Sequence, residues 1–282
     1  MSLAPAPPSS APGRPAVPGG RAARDREMPT QWAHLPGLVW TLVRTDFKVR
    51  YHGTVMGFLW ALLKPIAMLL VLMSVFSFVF ASDPNYKLNL VVALFLWEFF
   101  ADGTKVGLTS LHAKAYLIGK TRFPRWIVVV TSGSNAAITL FVTSLGMLVV
   151  LGFLGRAPSA AHAGLFLLYV LHLVLIVVGF SLGASVLFLR YRDLNQVWEV
   201  VVTAGFFVAP VIYPLGILPE RVHFYLFLWP PTPVIEFSRA VLVDGRPPSP
   251  WAHALLAAMT LAVLSAGAAL FRRHAPTIAE RL

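Results

Sequence analysis

Long apolar runs constrain this chain more than any other feature. A bilayer-spanning helix needs about 20 predominantly apolar residues. Six segments reach or approach that length: 57–80, 88–108, 126–154, 164–189, 197–213 and 251–271. Within lipid a helix satisfies all of its own backbone hydrogen bonds, so the expected fold class is an all-α polytopic membrane protein with six transmembrane helices. The fifth run is the shortest, and Pro210 and Pro214 break or tilt its end. Composition agrees. Charged residues make up 12% of the chain, about half of the roughly 25% usual in soluble domains, and mean hydropathy is +0.72.

The distribution of basic residues sets the expected orientation. Net charge is +11, a value that raises nucleic acid as a partner, but the Lys and Arg flank apolar runs as positive-inside signals do. No nucleic-acid partner is therefore expected. With both termini in the cytosol, only Lys87, Arg156, Arg221, Arg239 and Arg246 fall outside, and Lys64 and Lys105 fall within spans. The rest of the 23 Lys and Arg lie on the cytosolic side. The expected topology is N-in, C-in. Residues 1–30, rich in Pro, Ala, Gly and Arg with no continuous apolar stretch, read as a disordered cytosolic tail. Residues 31–282 form one transmembrane domain. There is no cysteine, which excludes disulfides, thiolate metal sites and cysteine nucleophiles. The eight histidines show no metal-ligand spacing, so no metal or catalytic constellation is expected.

Two segments outside the runs carry further information. Leu35, Leu38, Val39, Leu42 and Val43 recur at helical spacing before the first span, with Thr41, Arg44, Thr45 and Lys48 largely on other faces. This predicts an N-terminal amphipathic helix in the cytosolic interface, either a plain anchor or a gate element. Between spans five and six, "RVHFYLFLWPPTPVIEFSRAVLV" is apolar enough for a seventh span. Pro230, Pro231 and Pro233 interrupt it, and a seventh crossing would put Arg272 and Arg273 outside. The segment is expected to form an outer re-entrant helical hairpin covered by protein or lining a water-filled path.

"KAYLIGKTRFPRW" contains Gly119-Lys120-Thr121, the tail of a nucleotide-binding P-loop. The full motif requires a glycine five residues before Gly119, and that position is Lys114. The match is by chance. A short helix closed by Pro124 in a basic cytosolic loop suits docking to another chain. If ATP is used, a partner binds it.

Four stretches together resemble the ABC-2-type permeases of the polysaccharide, O-antigen and teichoic-acid exporter family. "TDFKVRYHGTVMGFLWALLKPIAMLLVLMSVFSFVF" is similar to that family's entry helix and first span, and "LIGKTRFPR" to its loop motif. "RYRDLNQVWEVVVTAGFFVAPVIYPLGILPE" resembles its run from an Arg-Asp turn to a Pro-Ile-Tyr-Pro end. "PTPVIEFSRAVL" resembles its segment before the last span. One departure is Pro230, where the family more often carries Asn. The resemblance implies a non-catalytic half-transporter of the bacterial inner membrane. It would act as a homodimer with two copies of an ABC ATPase subunit, which bind ATP and Mg. It implies a polyprenyl-pyrophosphate-linked glycan as cargo, and no cofactor held by this chain.

On that reading Leu117, Lys120, Arg122, Phe123 and Arg125 couple to the ATPase, with Arg192 and Asp193 (beside Arg190) as a second contact. The plain alternative is topology-setting charge. Arg44, Lys48 and Arg50 form a substrate entrance that grips pyrophosphate, or they attract anionic headgroups at about 1 kcal/mol each. The resemblance implies a path lined by aromatics of spans one and five, for which Trp60, Phe207 and Tyr213 are the candidates; lipid-facing packing is the alternative for any single ring. Glu98, Asp102 and Lys105 share one helical face. Their cost within a bilayer directs them to protein or water, with Glu98 lining the channel and Asp102–Lys105 forming an intrahelical pair. Gly53-x-x-x-Gly57 and Gly179-x-x-x-Gly183 are expected to pack helices closely. Competing readings are a permease for a drug or lipid, a membrane enzyme acting on polyprenyl-linked sugars, and a non-transporting scaffold.

Overall fold

The computed structural model describes residues 35–120 and 124–278. The tail 1–30 and the loop residues Arg122 and Phe123 lie outside the described residues, and of Lys120 only the backbone is described. Two units are distinguished, residues 1–41 and Leu42–Leu282. In the first, the described part is the opening of a helix in which the Thr41 hydroxyl donates to the Gly37 carbonyl at 2.8 Å.

Among the described residues the regular structure is entirely helical. In chain order the helices are α1 (Leu35–Tyr51), α2 (Leu59–Val79), α3 (Tyr86–Ala113), α4 (Ala115–Lys120), α5 (Arg125–Ser132) and α6 (Ser134–Phe153). They continue with α7 (Ala160–Phe188), α8 (Leu194–Val208), α9 (Glu220–Phe227), α10 (Pro231–Leu242) and α11 (Pro250–His274). Four segments are long and apolar enough to cross a membrane: Leu59–Val79, Arg125–Phe153, Ala160–Phe188 and Pro250–His274. Helix α3 has the length, 28 residues, but Glu98, Asp102 and Lys105 interrupt its apolar character. Helix α8 is a 15-residue apolar helix.

Helices α3 and α7 form the centre. Leu90, Leu94, Leu96 and Leu108 of α3 are fully buried, as are Phe166, Tyr169 and Leu173 of α7. Helix α7 packs along α11, on backbone rather than side chains. A Cβ on Gly267 would lie 1.8 Å from the Gly179 carbonyl oxygen, and one on Gly179 would lie 2.7 Å from Leu264 Cα. This is the close approach that small residues permit, made within one chain. Gly267→Ala is expected to lower the thermal midpoint in detergent, at a cost of about 1–3 kcal/mol for overpacking. Gly164→Ala on α7, where a Cβ meets nothing within 4 Å, serves as the control and should not lower it. The other glycine pair departs from expectation. Gly53 and Gly57 have φ of +78° and +51° and form the turn between α1 and α2 rather than a helix seam.

The expected weakness at Pro210 is realised as a complete break. Helix α8 stops at Val208, and Ala209 turns extended with ψ of 136°. Helix interruption frees carbonyls, and buried carbonyls need donors. The Tyr213 hydroxyl donates to the Phe207 and Val208 oxygens, each at 3.1 Å. Val211 N–H serves Ala209 at 2.7 Å. The buried Arg239 guanidinium of α10 donates to Pro210 at 2.6 Å and Val211 at 2.9 Å. The Tyr86 hydroxyl of α3 donates to Ile212 at 2.8 Å. The segment after α8 is thereby fixed to both α10 and α3. The apolar stretch that follows forms the two short helices α9 and α10, with the break at Leu228–Pro230 and Pro231 and Pro233 inside the first turn of α10.

Candidate functional site

Glu98, Asp102 and Lys105 stand four and three residues apart on α3, so they project along one side of it. Each finds a partner on a different element. Glu98 accepts from Lys64 of α2 at 3.0 Å, Asp102 from Arg50 at the end of α1 at 3.2 Å, and Lys105 donates to Glu199 of α8 at 3.3 Å. Further down, Lys114 pairs with Asp46 of α1. The expected intrahelical Asp102–Lys105 pair is therefore not formed. Partners on neighbouring helices claim both side chains, and the row ties α3 to three surrounding helices. Near Lys105, α8 is also held by the Trp198 indole N–H, which donates to Thr104 at 3.1 Å.

Between α2, α3 and α6 lies a cavity of about 290 Å³ walled by Arg50, Tyr51, Trp60, Lys64, Glu98 and Asp102, with Thr139 and Thr143 on its α6 side. Burial raises the pKa of the Tyr51 phenol, against the opposing charge of Arg50, so the hydroxyl stays protonated.

The cavity gathers Arg50, Trp60, Glu98 and Asp102 from the expected residues and leaves out the others. Arg44 and Lys48 are exposed along α1. Phe207 is exposed near the end of α8 and Tyr213 is half-buried, spent on the carbonyls of the break. Lys64, Asp46, Glu199 and Arg239 were not singled out from the sequence. Lys64 carried a readable signal, a lysine inside an apolar run that needs an anionic neighbour.

Past the C-terminal end of α3, Ile118 of α4 is buried among Leu111, Val128, Leu182, Val186 and Phe271. Leu117 is half-buried. Arg125 donates to the Ala275 carbonyl just beyond α11, which also accepts from the Ile278 N–H. The loop helix is thus seated on the ends of α3, α5, α7 and α11, and through Lys114–Asp46 it touches α1. Arg192 lies over the Phe188 ring at 5.5 Å. Asp193 is exposed at the start of α8 and makes no side-chain cap.

The sequence profile described as "ABC-2 type transporter" matches residues 37–243, which spans α1 to the end of α10. The chain belongs to the ABC-2 type transporter family. It is a membrane protein, as its apolar helices require. Among similar curated proteins is "O-antigen export system permease protein RfbA" of Myxococcus xanthus, 28% identical over 253 residues, covering 87% of this chain and 95% of that one. The protein of the same name from Klebsiella pneumoniae is 27% identical over 213 residues, 75% of this chain and 82% of that one. "Polysialic acid transport protein KpsM" of Escherichia coli is 24% identical over 237 residues, 80% and 89%.

Proposed function

We propose that this ABC-2 family member is the transmembrane subunit of an ATP-driven exporter that moves a lipid-linked polysaccharide from the cytosol across the bacterial inner membrane. The observation that carries the reading is the similarity to an O-antigen export permease along 87% of this chain and 95% of the relative. Adding α3 and α8 to the four apolar segments gives six crossings. An even number leaves both termini on one side, and the Lys and Arg distribution favours the cytosol. Helices α9 and α10 then form an outer re-entrant hairpin, an arrangement supported by the donors supplied to the broken backbone between residues 207 and 212.

Two copies of the chain would enclose the path, and two ABC ATPase subunits holding ATP and Mg would dock below. The loop around Lys120, Arg122 and Phe123 receives the push, with Arg192 and Asp193 as a second contact. Ile118, Arg125 and Lys114 support this assignment, because they connect the loop to four helix ends and to α1. Arg44 and Lys48 are free of protein carboxylates among the described contacts and suit a pyrophosphate; Arg50 is shared with Asp102. Trp60 and Phe207, both more than half exposed in one chain, suit the wall of a sugar path between two copies.

Two measurements test the reading. In vesicles containing the partner ATPase, the Arg122→Glu, Phe123→Asp variant is expected to lose most glycan export while remaining inserted; export at the wild-type rate would overturn the coupling loop. The chain has no cysteine, so Lys120→Cys gives a single labelling site. It should react with an impermeant maleimide only when the cytosolic face is exposed, and reaction from the outside refutes the orientation.

A further inference from the structure

The charged cavity described above is one end of a longer groove. An apolar cavity of about 450 Å³ adjoins it between α2, α3 and α6, and the two share Phe95 and Thr143. Apart from Thr143, whose hydroxyl bonds back to the Thr139 carbonyl at 3.0 Å, the apolar end is lined wholly by hydrocarbon side chains, the Met147 thioether and Gly146. Along α3 the groove runs from Asp102 to Leu88. At 1.5 Å per residue that is roughly 21 Å, close to one leaflet of a hydrocarbon core about 30 Å thick plus a headgroup. A site that is charged at one end and apolar over the rest of that length, about 10 Å along α3 from Phe95 to Leu88, has the chemistry of an amphiphile.

The charges choose which amphiphile. Arg50 and Lys64 oppose Glu98 and Asp102, so the end is neutral overall with both signs presented. A pyrophosphate would meet two carboxylates as well as two cations. A headgroup with a phosphate and an ammonium can partner both. The pairing geometry suits an exchange. The Lys64 side chain is 74% exposed at the mouth while that of Glu98 is 24% exposed on the wall, so the lysine can swing to a phosphate and leave the carboxylate to an ammonium. Trp60 stands on the rim, half-exposed, as rings at a membrane interface do.

We propose that the groove between α2, α3 and α6 binds one zwitterionic phospholipid, its phosphate on Arg50 and Lys64, its ammonium on Glu98 and Asp102, and an acyl chain beside Gly146. The site borders the proposed sugar path at Trp60. The orientation argued above decides only that the inner leaflet supplies the lipid.

The test is native mass spectrometry of the detergent-purified full chain with its ATPase, offered equal phosphatidylethanolamine, phosphatidylglycerol and a polyprenyl diphosphate. The wild-type protein is expected to retain phosphatidylethanolamine over phosphatidylglycerol by about tenfold, the ratio that ~1.4 kcal/mol of charge-assisted bonding gives. Glu98→Gln with Asp102→Asn should bring that ratio near one. Gly146→Leu fills the apolar end from a position where a Cβ meets nothing within 4 Å. It should therefore fold and lose phosphatidylethanolamine and phosphatidylglycerol alike. Equal retention of the two phospholipids by the wild type, an unchanged ratio in the double variant, unchanged retention in Gly146→Leu, or displacement of phosphatidylethanolamine by the polyprenyl diphosphate would each overturn the proposal.

Discussion

Arg239→Met is expected to yield a chain that is unstable or unfolded in detergent, with a loss of about 3–5 kcal/mol, the range for removing one partner of a buried ion pair. Arg239 is 6% exposed. Its guanidinium donates to the carbonyls of Asn89 (3.0 Å), Pro210 (2.6 Å) and Val211 (2.9 Å) and to Glu236 Oε1 (2.7 Å). Methionine fills a similar length but donates nothing. The substitution strands the Glu236 carboxylate and the Pro210 and Val211 carbonyls, which have no helix to return to, and removes the donor to the Asn89 carbonyl within α3. Natural stability is only about 5–15 kcal/mol, so the effect is a large share of the whole. Arg239→Lys keeps the charge but offers a point donor in place of a planar fork, and should recover part of the loss. Thermal unfolding and fluorescence-detected size exclusion of the three proteins read this out. A monodisperse Arg239→Met protein with the wild-type midpoint would show that the clamp is not needed.

The role of Arg239 also shows where sequence reading stops. In the sequence it is one of five basic residues assigned to the exterior, a statement about topology that carries no contact. Its function depends on three backbone carbonyls from two distant segments, and carbonyls are invisible to residue type. Pro210 announced that the fifth run would be interrupted, but not who would satisfy the interruption. Tyr213 read as a ring for a sugar path; the structure spends its hydroxyl on the end of α8. The charged row on α3 was legible as a row because 98, 102 and 105 obey helical periodicity. The partners were not, since Lys64, Arg50 and Glu199 arrive from other helices. Gly179 and Gly267 illustrate the same division. The small-residue spacing on α7 predicted a close approach, while its partner surface at Leu264 and Gly267 follows only from packing. Gly53 and Gly57 have the identical spacing and form a turn, because periodicity alone does not separate a helix seam from positive φ.

Ile118→Ala should separate ATP hydrolysis from export. Helix α4 has six residues, and helices shorter than about 12–15 residues are marginal by themselves in water. Its position is therefore set by its anchors. Ile118 is the anchor that enters the apolar cluster with Leu111 of α3, Val128 of α5, Leu182 and Val186 of α7, and Phe271 of α11. Truncating a buried isoleucine to alanine costs about 2–5 kcal/mol where the site cannot collapse. Here the cost falls on the seating of one short helix, since the spans retain their own contacts along α7 and α11. On the coupling proposed above, a partner ATPase pressing on a loosely seated α4 would move the loop without moving the four helix ends beneath it. In reconstituted vesicles the glycan exported per ATP hydrolysed is expected to fall by about tenfold or more, equivalent to ~1.4 kcal/mol of lost coupling, with the ATPase still bound and still turning over. Ile118→Val, which keeps a branched apolar side chain in the cluster, should restore most of the ratio. Two outcomes discriminate the alternatives. An Ile118→Ala protein that loses the ATPase altogether would make α4 a docking epitope only, and one that exports at the wild-type ratio would remove the loop from the transmission of force.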